Sequence, residues 1–192
     1  MSLVYDLEPT QGVMWGRTEI ITQRMPVGIT FGNFDGVHIG HRYLLDQLKK
    51  QSHGLPIVVL SFDPHPAYFF SQDKTPRLLT SNEDKVNFLL KAGADVVILV
   101  SFTKIFANLS ADDFCFKWLA KHFQIQHVIM GYDLSYGKDR QGHFSHMKKC
   151  GDILKWNIQQ AIPYCTAEDK IVSSSFIRAS LSTGTLMMLR WL

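Results

Sequence analysis

The chain is 192 residues long, 46% hydrophobic and 19% charged, which excludes a disordered protein and leaves room for one sheet with helices on both faces. Its formal charge of +3 and pI near 8.7 come without a long basic run, which argues against nucleic acid and for a small anionic substrate. No apolar stretch reaches the roughly 20 residues of a membrane-spanning helix, and the N-terminus MSLVYDLEPT carries acids where a signal peptide is basic. A cytoplasmic protein with neither membrane nor nucleic-acid partners is expected.

Residues 1–25 show no clear period and read as an irregular lead-in. From there the pattern predicts a strand at 27–31, a helix at 40–51, a strand at 57–62, a helix at 82–92 and a strand at 95–100. A helix at 111–122, strands at 127–131 and 158–163, and a helix at 174–182 follow. Ser110 is a good N-cap for the third helix, with Asp112 and Asp113 in its first turn. The strands are continuous apolar runs (IVVL, VVILV, HVIM), the signature of strands buried on both faces. With the β-α alternation they predict an α/β fold: a Rossmann-like, doubly wound, mainly parallel five-stranded sheet with helices on both faces. No linker or repeat divides the chain, so residues 1–192 read as one domain.

Cys115, Cys150 and Cys165 are far apart in sequence and form no CxxC pair, which argues against a disulfide framework and a structural zinc site. All three are expected to be buried or half-buried thiols. Near the end, Met187, Met188, Trp191 and Leu192 are expected to pack on the domain or face a partner.

In doubly wound sheets ligands bind beyond the carboxyl ends of the strands, and four of the five predicted strands are followed by chemistry. After the first comes Gly32-Asn33-Phe34-Asp35-Gly36-Val37-His38-Ile39-Gly40-His41. The glycines permit tight turns and close approach to a ligand, and a helix N-terminus favours phosphate. His38 and His41, three residues apart, can present both imidazoles to one phosphoryl group. A bare HxxH spacing would read first as incidental histidines, with a metal site conceivable; ten such residues after a strand and before a helix favour the phosphate reading. Neither GxxxxGK[ST] nor GxGxxG occurs, so a P-loop and a nicotinamide fold are unsupported.

The ten-residue segment resembles the HxGH signature of the nucleotidylyltransferases, and its GNFDGVHxGH form resembles the FAD synthetase module of bacterial bifunctional riboflavin kinase/FMN adenylyltransferases. Phe62-Asp63-Pro64-His65-Pro66, a proline-braced turn after the second strand, is similar to the family's FxPHP segment, which implies a flavin-side role. Tyr68, Phe69 and Phe70 either extend an apolar wall for the ring system or belong to the core.

Gly131-Tyr132-Asp133-Leu134-Ser135-Tyr136-Gly137-Lys138-Asp139-Arg140-Gln141-Gly142 reads as a mobile basic loop for phosphates or a lid, or as a solvated surface loop. It resembles the family's GxDFxFGxxxxG loop, with Leu134 and Tyr136 in place of phenylalanines. Ser173, Ser174, Ser175 and Arg178 open the last helix as caps and phosphate donors and resemble the SSTxIR motif, with Ser175 in the threonine position.

The resemblance covers residues 28–178 and implies the reaction ATP + FMN → FAD + pyrophosphate. His38, His41, Asn33 and Arg178 carry the catalytic reading. ATP binding adds Gly32, Phe34, Asp35, Gly36, Gly40, Gly131, Tyr132, Asp133 and the three serines, and flavin binding falls to residues 62–66 and Tyr136. Mg²⁺ is expected to arrive with ATP without a protein-built metal site. The riboflavin kinase domain that usually follows such a module is not in the sequence. Another phosphorylated acceptor, or a non-catalytic nucleotide- or flavin-binding role, stays open.

Overall fold

The first departure from expectation lies at the N-terminus. In the computed structural model, which describes residues 2–70 and 77–184, the supposed lead-in is a β-hairpin: β1 (Ser2–Leu7) and β2 (Thr10–Gly16), followed by a single turn, α1 (Glu19–Thr22). In β2, Thr10, Gly12 and Met14 are buried while Gln11 and Val13 between them are more open, the period of a strand with one covered face. β2 adds antiparallel to the edge of the parallel sheet, pairing Gly12–Gly16 with Val96–Val100.

The parallel core follows the expected alternation. β3 (Pro26–Phe31) leads into α2 (Ile39–Gln51), and β4 (Ile57–Asp63) into the short α3 (Pro66–Phe70) and α4 (Asn82–Lys91). β5 (Val96–Ser101) is followed by the turn α5 (Lys104–Ala107) and a helical segment in which Asp113–Leu119 is π-helical and α6 (Ala120–His122) completes the run. Ser110 accepts the Asp113 amide at 3.0 Å, the expected cap. Then come β6 (Gln124–Met130), α7 (Phe144–Leu154), β7 (Asn157–Gln160) and α8 (Ser174–Ser182).

The sheet has seven strands, not five, in the order β1-β2-β5-β4-β3-β6-β7. The five strands from β5 to β7 are mutually parallel, and their order is the doubly wound arrangement with its switch point between β3 and β6. Both faces are covered. Within β5, Val96, Ile98 and Val100 belong to one apolar cluster and Val97 and Leu99 to the other, so the run has no polar alternation. On one face Trp118 is fully buried and donates its indole N–H to the Leu7 carbonyl at 2.9 Å, fixing the hairpin to the π-helical turn.

α7 was not anticipated. Gly151 sits inside it because any Cβ there would lie 2.2 Å from the Ile158 side chain, so glycine permits α7 to lie directly on β7. Cys115 and Cys150 are buried as expected, but Cys165 is exposed, a correction that follows from its place in the turn-rich segment before α8. Phe70 lies at the limit of the described residues, while Met187, Met188, Trp191 and Leu192 lie outside them. Among the described residues no helix is long and apolar enough to cross a membrane.

Candidate active site

The GNFDGVHIGH segment runs from the end of β3, beside the switch point, to the N-terminus of α2. Its path requires left-handed turns: φ is 48° at Phe34, 82° at Gly36 and 38° at Val37. Gly40 serves close approach instead, since a Cβ there would meet the Val172 carbonyl at 3.0 Å and the His38 ring at 3.1 Å. His38 occupies the N-cap position of α2 without capping it. Its ring instead stacks on His41 with centroids 3.7 Å apart and planes at 22°, and Phe34 packs on His41 at 5.1 Å.

Burial, then the Arg178 and Arg42 charges, push the His38 imidazole down to about 4. Burial and the neighbouring His38 hold His41 well below the usual histidine range. Two stacked imidazoles cannot readily both be charged away from water. Both are therefore neutral near pH 7, and each keeps a buried Nδ1 to which no described residue hydrogen-bonds.

Asp35 is the joint of the site. Its carboxylate is buried and accepts the Leu79 amide at 2.8 Å and the Thr80 amide at 3.3 Å. The same carboxylate receives Arg178 Nη1 at 2.6 Å, and its backbone carbonyl accepts the Ser174 hydroxyl at 2.8 Å. The Gly36 amide donates to Thr80 Oγ1 at 3.1 Å. Thus the loop before α4, the β3–α2 loop and the start of α8 close on one another, and Arg178 is held beside the histidines.

Within α8, the Ser173 hydroxyl caps the helix by accepting the Phe176 amide at 3.2 Å. Ser175, exposed, receives Arg178 Nη2 at 3.3 Å. Asn33 is exposed, and its carbonyl accepts the buried Ser61 hydroxyl at 3.0 Å, which ties the signature to the end of β4.

The Phe62–Pro66 segment leaves β4 on the same side. His65 Nδ1 accepts the Ala67 amide at 3.1 Å, which places the proton of the neutral ring on Nε2. Burial lowers its pKa, with Lys85 and Arg178 acting the same way and Asp35 opposing. Lys85 is a residue that the sequence reading missed. It is buried, its ammonium is 3.5 Å from the Phe62 carbonyl, and burial lowers its pKa while Asp35 and Asp63 support the charge. The signal for it was present: on α4 Lys85 lies one turn before Leu89 and beside Val86, on the buried stripe where lysine is rare unless paired.

The Gly131–Gly142 segment begins at the carboxyl end of β6, across the switch point. Tyr132 and Asp133 are exposed there, and Gln160 donates to the Tyr132 carbonyl at 3.0 Å. The loop is fastened by a two-way backbone bridge between Tyr136 and Gly142. Tyr136 is the residue expected on the flavin side. Its ring is buried between Phe31 and Phe114, and its hydroxyl lies 2.7 Å from His146 Nδ1.

Comparison with known proteins identifies the family. The FAD synthetase family profile matches residues 21–176. The chain belongs to the FAD synthetase family. Relatives include the bifunctional riboflavin kinase/FMN adenylyltransferases of Escherichia coli K12, 35% identical over 162 residues, and of Bacillus subtilis 168, 35% identical over 160. These alignments cover 83% and 81% of this chain, and 51% and 49% of the relatives. The Listeria monocytogenes enzyme of the same name is 36% identical over 161 residues, which cover 82% of this chain and 50% of that one. The chain therefore spans about half the length of the curated relatives it matches. The crystal structure of a macrolide-efflux protein from Streptococcus pneumoniae superposes with a TM-score of 0.72 over 84% of this chain and 52% of that one, at 23% identity; this likeness concerns the fold alone. Most of the FAD synthetase match lies within the segment that carries the histidine stack, Asp35, Lys85 and the start of α8.

Proposed function

We propose that the chain transfers the adenylyl group of ATP to FMN, giving FAD and pyrophosphate. The observation that carries this reading is the convergence at the switch point: the His38–His41 stack at the N-terminus of α2 lies within electrostatic reach of Arg178, which is itself fixed by buried Asp35. A phosphate oxygen of FMN attacks the α-phosphorus of ATP as the bond to the bridging oxygen breaks and pyrophosphate leaves. The neutral imidazoles donate hydrogen bonds to the transferring group, and the α2 N-terminus adds its dipole. Arg178 and Ser175 face the β and γ phosphates, with Asn33 and the loop glycines positioning the chain of phosphates. The Lys85 ammonium, whose charge Asp35 and Asp63 support against burial, attracts a phosphate of the substrate.

On this reading His65 and its proline-braced turn flank the flavin side, while Tyr132 and Asp133 flank the nucleotide side. Asp35, already committed to Arg178 and two amides, is a positioning residue rather than a metal ligand. Mg²⁺ would travel on the triphosphate and screen its charge. Catalysis would rest on alignment and electrostatics without a covalent enzyme intermediate. The free thiols suit a reducing cytoplasm.

The test is incubation of the purified chain with ATP, Mg²⁺ and either FMN or riboflavin, followed by chromatographic separation of the flavins. FAD formed from FMN, with stoichiometric pyrophosphate and none from riboflavin, is the expected result. No FAD from a folded chain that still binds ATP overturns the choice of acceptor.

A further inference from the structure

The two buried cysteines, 35 positions apart in the numbering, meet in the fold. Cys115 lies in the π-helical turn, and Cys150 lies on α7 one turn after His146. One ligand atom from each of Cys115, His146 and Cys150 can be chosen so that all three lie within 4.8 Å of one another. Cys150 Sγ is 3.7 Å from His146 Nδ1. With bonds of about 2.3 Å to sulfur and about 2.0 Å to imidazole nitrogen, the donors of a tetrahedral zinc site stand roughly 3.5–3.8 Å apart. In the set so chosen, the separations exceed those values by no more than about 1 Å.

Two features distinguish this cluster from ordinary packed thiols. His146 Nε2 lies 3.0 Å from Asp112 Oδ1, so a proton held there points to a carboxylate and Nδ1 is left as the ligand atom. A carboxylate–histidine–metal triad has this arrangement. The Tyr136 hydroxyl, 2.7 Å from that same Nδ1 and 3.3 Å from Cys115 Sγ, marks a fourth, oxygen side. Moreover, Cys115 sits in a stretch of π-helix, a costly backbone form that recurs at functional sites. The His-x-x-x-Cys spacing on α7 sets two donors on one helix face.

We propose that Cys115, His146 and Cys150 form a site for a thiophilic divalent cation of the Zn²⁺ class, with Asp112 orienting the histidine and the Tyr136 hydroxyl or a water as fourth ligand. Binding breaks two S–H bonds and forms two metal–sulfur bonds, and two protons leave to solvent. Thiols bind such an ion as thiolates, so each gives up its proton on binding. His146 is about a quarter exposed and supplies the way in. The ion would staple the π-helical turn to α7 and, through Tyr136, hold the loop that starts at the carboxyl end of β6. Its role is structural, and its detection does not depend on adenylyl transfer.

The experiment uses the full chain carrying Cys165→Ser, which removes the exposed thiol as a stray ligand. The metal-stripped, reduced protein is titrated with Co²⁺ and then with Zn²⁺ in weak buffer. One equivalent of Co²⁺ should produce thiolate-to-cobalt charge-transfer bands and tetrahedral visible bands. Zn²⁺ should displace it, and direct Zn²⁺ binding to a fresh stripped sample should release two protons per ion and raise the melting temperature. Cys150→Ser and His146→Ala should weaken Co²⁺ binding at least tenfold and alter the spectrum. Should either variant fail to fold, the titration of the parent chain decides by itself. A folded parent, shown by circular dichroism, that gives no thiolate–cobalt bands and no zinc-induced stabilisation overturns the proposal. Unchanged spectra in folded variants overturn it too.

Discussion

The histidine stack makes a quantitative statement about stability. His38 is buried, and its imidazole is driven from 6.5 down to about 4, by burial first and then by Arg178 and Arg42. Between those two values the unfolded chain binds a proton that the folded chain refuses. Stability therefore rises with pH across the window, is complete above 6.5, and is lost as pH falls from 6.5 through about 4. At about 1.4 kcal/mol for each tenfold change in proton affinity, the full loss is about 3 kcal/mol, of which about 2 kcal/mol falls by pH 5. His41 titrates with its neighbour and adds a loss of the same sign. The assay is urea unfolding of the wild type and of His38→Gln at pH 7.5 and at pH 5, with m-values checked for constancy. Glutamine keeps a polar group in the cavity but cannot titrate. The wild type should lose about 2 kcal/mol more than the variant between the two pH values. Equal losses in both proteins would show that the burial and charge assigned to His38 do not govern its protonation.

Three further outcomes follow from the same geometry. His41→Ala should lower FAD formation about a hundred- to a thousand-fold with the circular dichroism spectrum unchanged; activity within a few-fold of wild type removes His41 from the transfer step. Asp35→Ala strips a buried partner from Arg178 and two amides, and should cost about 3–5 kcal/mol in urea unfolding, whereas a loss under 1 kcal/mol would mean that the junction closes without it. Lys85→Met takes a cation out of an apolar stripe, so stability should hold or rise while the KM for ATP climbs at least several-fold. Lower stability with an unchanged KM would assign Lys85 to the fold alone.

What the sequence made legible was local. The ten residues from Gly32 to His41 carry their turn glycines, helix start and histidines within one segment, so strand, loop and chemistry could be placed together. The doubly wound class was legible because β4 and β5 carry the continuous apolar runs IVVL and VVILV and β6 ends in Val128-Ile129-Met130. The hairpin escaped because a two-residue turn, Glu8 and Pro9, separates two short strands that lack such a run. α7 escaped because its sequence, FSHMKKCGDIL, has weak helix formers and a glycine in its interior. That helix forms because its buried face, with Met147, Cys150 and Gly151, packs against the sheet, a tertiary effect that overrides propensity.

Long-range contacts were illegible for a different reason. Asp35 stands inside the signature and resembles a ligand-binding acid in sequence, yet its partners come from residues 79, 80, 174 and 178. An isolated carboxylate buried in that position would be costly, and its guanidinium arrives from a helix 143 positions later in the numbering. The signature loop and the final helix are therefore one structural unit: neither the charge of Asp35 nor the placement of Arg178 is tolerable without the other. Such coupling explains why motifs that look independent in the sequence act as one site in the fold. On the proposed reading Arg178 has to satisfy Asp35 before it can serve a phosphate, and the short contact leaves Nη2, bonded to Ser175 on the exposed side, as the edge of the guanidinium that would meet substrate.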